Sequence, residues 1–134
     1  MAVVVHHAGV NINGTEAEVR AIARYHVEHN GWPGIGYHYV IAKDGTVWKT
    51  NPISYVSYHA AGFNIPSVGV CLAGNLDRQP PTKQQEDALR ALLQDLNKAL
   101  GRRLIVRAHR EVSQTDCPGR YGMDLVERVR ASTA

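Results

Sequence analysis

The chain predicts an α/β domain: a single mixed central β-sheet of about five strands, flanked by helices. Three observations predict it. The 134 residues make one domain's worth of chain, because domain sizes centre on roughly 100–150 residues, so residues 1–134 are read as one unit. Short β-branched runs alternate along the chain with amphipathic helical patterns instead of segregating from them. One Asp-Gly step, Asp44-Gly45, joins two β-rich runs as a hairpin, which makes the sheet mixed and not purely parallel.

The elements follow in order. Val3 to His6 is a short β-branched run and predicts a buried strand. Thr15 with Glu18 forms a capping box that opens a helix. Val19, Ile22, Ala23, His26 and Val27 would lie on its inner stripe, and Gly31 would stop it. Tyr37 to Ala42 and Thr46 to Lys49 are the two hairpin strands. Val68 to Ala73 is a further buried strand. Thr82 with Gln85 is a second capping box. Its helix carries Leu89, Leu92, Leu93, Leu96 and Leu100 on one stripe and meets Gly101 where a C-terminal glycine belongs. Leu104 to Ala108 predicts a strand, and Asp124 to about Arg130 a short last helix with Leu125, Val126 and Val129 inward.

Composition excludes several classes. With 44% hydrophobic and 20% charged residues the chain is not intrinsically disordered. No apolar run approaches the ~18 residues of a membrane span. Met1 to His6 has neither a basic n-region nor a long h-region, so it reads as a strand and not as a signal peptide. A net charge of +3 suits an anionic polymer surface. No Lys/Arg run interleaved with aromatics points to nucleic acid. The two cysteines sit in unlike settings, Cys71 in an apolar strand and Cys117 in a polar loop, which argues against a disulfide framework. Cys71 is read as inert core, since reactive thiols need an exposed, electropositive setting.

Seven histidines are the first sign of metal or proton chemistry. His6 ends the first strand, His109 ends the last, and Cys117 lies in the loop just after it. Ligands gather at strand ends in open α/β sheets. Two imidazoles and a thiolate are a set that zinc accepts with a fourth position left open, the arrangement of a catalytic site. A metal there would lower the pKa of a bound water towards ~7. On spacing alone, hydrogen-bonded loop histidines and a half-buried thiol explain the same residues equally well. Alternation along a strand sends His6 and His7 to opposite faces, so only one of them can readily be a ligand. A structural zinc domain is disfavoured, because no C-x-x-C or H-x-x-x-H pair supplies a fourth ligand at short spacing.

Seven segments, taken in order, resemble the type 2 N-acetylmuramoyl-L-alanine amidases, the family shared by phage endolysins, bacterial cell-wall amidases and peptidoglycan recognition proteins. They are Val5-His6; Tyr25-His26; Gly31-Trp32 with Ile35-Gly36-Tyr37-His38-Tyr39; Lys43-Asp44-Gly45-Thr46-Val47; His59-Ala60-Ala61-Gly62-Phe63-Asn64; Ser67 to Gly74; and Arg107-Ala108-His109-Arg110-Glu111-Val112 leading to Asp116-Cys117-Pro118-Gly119. Among these proteins the chain looks most like a small phage endolysin. The resemblance implies Zn2+ held by His6, His109 and Cys117, with His6 rather than His7 in the family's position. It implies hydrolysis of the amide between the lactyl group of N-acetylmuramic acid and L-alanine.

It further implies Tyr37 as oxyanion donor and Thr115 beside the reacting group, at a position where other members carry lysine. A threonine donates one hydrogen bond there but no positive charge. His26, Trp32, His59 and Asn64 would contact the substrate, a glycan strand with its stem peptide. For Trp32, pinning the helix–strand turn is an equal alternative, and for His26 packing on the sheet is the lesser one. Glu111, two residues past a ligand, is read as a loop anchor ahead of a catalytic carboxylate. His38 fits packing and function equally, and His29 a solvated helix end. The protein would act as a monomer on the cell wall after synthesis in a host cytoplasm without a signal peptide. The runner-up is a peptidoglycan-binding module without chemistry, which the presence of Cys117 disfavours.

Overall fold

The structure is a computed structural model, which describes residues 2–32, 34–51 and 67–133. Its elements are β1 (Ala2–His7), α1 (Glu16–Glu28), β2 (Tyr39–Ile41), β3 (Val47–Lys49), β4 (Ser67–Leu72), α2 (Lys83–Leu100), β5 (Ile105–Ala108), a 3-10 turn (His109–Glu111) and α3 (Arg120–Thr133). The five strands form one sheet in the order β3-β2-β4-β1-β5. β1 runs parallel to both β4 and β5, and β2 parallel to β4. Only β3 is antiparallel, paired to β2 across the Asp44-Gly45 hairpin. The expected mixed five-stranded sheet is the one observed.

Alternation along the strands separates two faces. Val3, Val5, Val68, Val70, Leu72, Tyr39 and Ile41 pack with the inner stripes of α2 and α3 in the main core. Val40 and Cys71 meet Val19 of α1 on the opposite face, with Tyr37, Ile35 and Trp48 against them. Side chains two apart on a strand share a face. His6 therefore goes with the α1 side and His7 with the α2/α3 side.

Both predicted capping boxes form. Thr15 accepts from the Glu18 N–H, while the Glu18 carboxylate takes the Thr15 N–H. Thr82 and Gln85 do the same, and such caps contribute about 1 kcal/mol each. Gln85 is buried and also donates to the carbonyls of Ile41 and Ala73, which ties the start of α2 to the ends of β2 and β4. Gly101 closes α2 in the left-handed conformation, φ 64°, as expected.

Three expectations need correction. The first hairpin strand begins at Tyr39, not Tyr37. The Tyr37 carbonyl is taken by the Thr50 hydroxyl and the Asn51 amide instead of a ladder partner. α3 begins at Arg120, four residues before Asp124, because Asp77 from a distant loop accepts the Arg120 N–H and the Leu76 carbonyl accepts that of Tyr121. Val27, placed on the inner stripe of α1, is exposed. Only Val19 and His26 of that helix are buried, so α1 lies shallowly on the sheet.

Glu86 links α2 to α3. It accepts from Arg90 and from Arg128 of α3, each at 2.9 Å, and its side chain is only 23% exposed. The Arg128 hydrogen bond, aided by Arg90 and opposed by partial burial, holds its carboxyl below the ordinary 4.5. A carboxyl depressed on folding stabilises above its unfolded pKa, and this is lost as pH falls through the folded value. Glu86→Gln should therefore melt lower than the parent at about pH 7, by an amount near 1 kcal/mol. The gap should close as pH falls through the depressed pKa of the folded state, below 4.5, where the parent carboxyl also takes up its proton. Thermal melts across pH check this.

Candidate metal centre and surrounding cleft

β1, β4 and β5 all end at one edge of the sheet. The last β1–β5 pair is Val5 with Ala108, so His109, which leaves the sheet at the end of β5, lies beside His6, which is still paired to β4 through Cys71. Their ring centroids are 4.3 Å apart. The 3-10 turn starts at His109 and is locked from behind by Glu111, whose carboxylate accepts the Ala108 N–H at 2.8 Å and pairs with Arg130 of α3 at 2.8 Å. Burial pushes the Glu111 carboxyl up, but these bonds outweigh it and the net shift is downward. Glu111 thus anchors the loop, the favoured expectation for it.

Cys117 returns to the same place. The Arg110 N–H donates to the Cys117 carbonyl at 2.8 Å, folding the loop back on the turn. Gly119 follows at φ +82°, where a Cβ would come within 2.6 Å of the Leu76–Asp77 backbone, so only glycine lets the loop pack this closely. The Cys117 Sγ lies 3.9 Å from His6 Nδ1 and accepts the His7 N–H at 3.3 Å. One ligand atom each from His6, His109 and Cys117 lie within 4.8 Å of one another, close enough to hold a metal ion. His7 points elsewhere, its Nδ1 accepting the Leu76 N–H at 3.0 Å.

Charge states suit such a set. Burial lowers the His109 pKa, which keeps the imidazole neutral and its lone pair available near pH 7. Burial, only partly opposed by the His7 N–H, pushes the Cys117 thiol up to about 11. A thiolate there needs a bound cation for charge balance.

Around the three donors His7, Ala8, Gly9, His26, Asn30, Trp32, Tyr37 and Thr115 enclose a cavity of about 340 Å³. A second, largely apolar cleft of about 560 Å³ adjoins it, sharing Ala8, His26 and Tyr37. The Tyr37 ring centroid is 5.1 Å from that of His6 and 5.4 Å from that of His26. Burial, and secondarily the Cys71 and Cys117 sulfurs, hold its phenol well above the ordinary range, so it stays protonated. His26 is buried, its Nδ1 accepts the Gly36 N–H at 2.8 Å, and it lines the cavity with its ring 4.7 Å from that of Trp32. The Thr115 hydroxyl accepts the Cys117 N–H at 3.3 Å, which leaves its proton to donate.

His38 is wholly buried, and its Nδ1 accepts the Gly69 N–H, a packing role. His29 is exposed and stacks on Tyr25. His59 and Asn64 lie outside the described residues. Asn30, in the turn just past the end of α1, lines the cavity as well and carries no local sequence signal that marks it.

A metal-capable His–His–Cys cluster at the carboxyl edge of a mixed α/β sheet defines the class of protein. The comparisons name the family. The N-acetylmuramoyl-L-alanine amidase family model matches residues 1–120, and the chain belongs to that family. It is 34% identical over 125 residues to peptidoglycan-recognition protein SC2 of Drosophila simulans, covering 87% of this chain and 66% of that one. It is 40% identical over 105 residues to the endolysin of Escherichia phage T7, covering 75% and 68%. The solved N-acetylmuramoyl-L-alanine amidase LysC from Clostridium intestinale superposes with TM-score 0.85 at 34% identity, over 98% of this chain and 83% of that chain. The chain thus spans just under two thirds of the length of the first recognition-protein relatives. Among the described residues no helix is long and apolar enough to cross a membrane.

The two adjacent histidines separate experimentally. His6→Ala should abolish stoichiometric zinc binding. His7→Ala should keep it and lose about 1 kcal/mol of stability by orphaning the Leu76 N–H. Calorimetric zinc titration and thermal melting of both variants distinguish the roles.

Proposed function

We propose that this chain is a zinc-dependent hydrolase of peptidoglycan, cleaving the amide between the lactyl group of N-acetylmuramic acid and L-alanine, in the manner of a phage endolysin. One observation carries the reading: His6, His109 and Cys117 converge within 4.8 Å in a chain of the amidase family. The donor set fits zinc, being two imidazoles and one thiol on a cavity wall with room for a fourth ligand. When bound, zinc supplies a Lewis acid and an activated water for attack on the amide carbonyl.

The remaining work falls to the chain. The amide oxygen gains negative charge as its carbon becomes tetrahedral, and a donor poised there contributes most when it need not reorganise. Tyr37 suits that role, because its phenol is protonated and beside His6. The Thr115 hydroxyl adds a weaker, uncharged donor on the same cavity. His26, Trp32 and Asn30 form the wall on which the glycan and stem peptide rest, and the adjoining apolar cleft gives room for a substrate longer than one residue. His59 and Asn64 complete the peptide-binding set on the strength of the family resemblance. The protein acts as a monomer on the bacterial cell wall.

The test is wall hydrolysis with mass analysis of the products. Zinc-loaded protein should release peptides with a free L-alanine amine and leave the lactyl carboxyl on muramic acid, and a chelator should stop it. Intact amide with bound wall fragments would instead identify a binding module. Cys117→Ser should lose metal and activity together. Tyr37→Phe should keep one zinc and lose about 10²–10³ in kcat, the usual cost of one oxyanion donor; an unchanged kcat refutes the role.

A further inference from the structure

Tyr37 stands in the irregular stretch between α1 and β2, so membership of a strand does not fix its backbone. Two residues just past β3 do so instead. The Asn51 side-chain amide donates to the carbonyls of Ile35 and Tyr37, at 2.8 Å each. The Thr50 hydroxyl donates to the same Tyr37 carbonyl at 2.6 Å. The hairpin holds both residues in place, because the N–H groups of Thr50 and Asn51 reach the His38 carbonyl at 2.8 and 3.3 Å. His38 is locked in turn to Gly69 of β4 through its own N–H and its Nδ1. From the opposite side, His26 of α1 takes the Gly36 N–H. The short segment that carries Tyr37 is thus tethered from α1, from β4 and from the end of β3.

We propose that Asn51 is a positioning residue for Tyr37, its amide clamping the Ile35 and Tyr37 carbonyls so that the phenol ring stays beside His6. The inference rests on the amidase reading above, in which Tyr37 donates to the oxyanion. The chemistry of the clamp is specific. An amide nitrogen carries two hydrogens, one for each carbonyl, whereas a carboxylate of the same size carries none. Fixing the carbonyls on both sides of Gly36 sets the direction in which the Tyr37 side chain leaves the backbone. The hydroxyl lies at the far end of the ring, so a small backbone rotation becomes a large displacement in the cleft. A donor to the oxyanion contributes most when it is already in place, and a misplacement of about 1 Å can cost up to about 10²-fold in rate. Asn51 is not among the described residues that line the metal cavity, so it acts on the reaction through Tyr37. The Gly36 bond to His26 does not involve Asn51, so the wall that binds substrate keeps its own tether when the clamp is removed.

The experiment measures Asn51→Ala in the parent and in Tyr37→Phe, using a soluble muramyl peptide. Asn51→Ala should lower kcat about tenfold, within the range that misplacement of a catalytic group costs, with KM and zinc content unchanged. In the Tyr37→Phe background it should have no further effect, because the hydroxyl it positions is gone. Glu86→Gln, which loosens the fold at the distant α2–α3 contact, should leave kcat at the parent value. Thr50→Val removes only the hydroxyl bond to the Tyr37 carbonyl at nearly constant shape; it should lower kcat less, and it carries the test if Asn51→Ala does not fold. On metal-free protein labelled at tyrosine Cζ, the Tyr37 resonance should move in Asn51→Ala and stay in Glu86→Gln. An unmoved resonance, an unchanged kcat, an equal loss in both backgrounds, or an equal loss in Glu86→Gln overturns the proposal. If the parent cleaves nothing, the amidase reading fails instead, and the resonance still decides whether Asn51 sets the place of Tyr37.

Discussion

Parallel pairing of β1 between β4 and β5 is the constraint on which the site depends. Val3, Val4 and Val5 are wholly buried and hydrogen-bonded on both sides, so this strand has no freedom to slip. A shift of one residue would exchange the faces of every side chain on it. His6 would then leave the α1 side and the partners waiting there. The register also brings the β5 end to His6, so His109 arrives without a long flexible connection. Cys117 is the third arrival. Its loop is held by the Arg110–Cys117 backbone bond and by the close approach of Gly119 to Leu76 and Asp77.

Burial then sets the chemistry. The same desolvation that lowers the pKa of His7, His26 and His109 raises those of Cys117 and Tyr37. Each shift favours the neutral form. The result is a cleft of uncharged donors and acceptors, ready to receive a cation and to strengthen any charge that develops inside it. Structural supports lie just behind. Glu111 and Arg130 steady the turn that carries His109, and the Gly36 N–H fixes the ring of His26. Such outer partners orient ligands as much as the ligands' own backbone does.

Much of this was legible because the signals are local. Capping boxes act over three residues, a glycine C-cap over one, and an Asp-Gly hairpin over two, so neighbouring residues carry the whole instruction. The apolar stripe of α2 is regular enough to name its buried leucines. The start of α3 was not legible, since its cap is Asp77, 43 residues away. Neither was the break at Tyr37, whose carbonyl goes to side chains beyond the hairpin. The depth of α1 escaped too: its pattern shows which stripe is apolar but not how closely the sheet approaches it.

By itself the sequence determined the residue types that chemistry needs, the order and kind of the main elements, and the face on which each strand residue would fall. It named His6, His109 and Cys117 as candidates from their places at strand ends, but left bland loop residues as an equal explanation. Only the tertiary structure decided that the three donors meet, that His7 turns instead to the Leu76 backbone, and that Tyr37 packs against the cluster of Val19, Val40 and Cys71. The physical reason is distance along the chain. Local patterns encode local geometry, whereas contact between residues 111 apart is set by how strands pair and loops close.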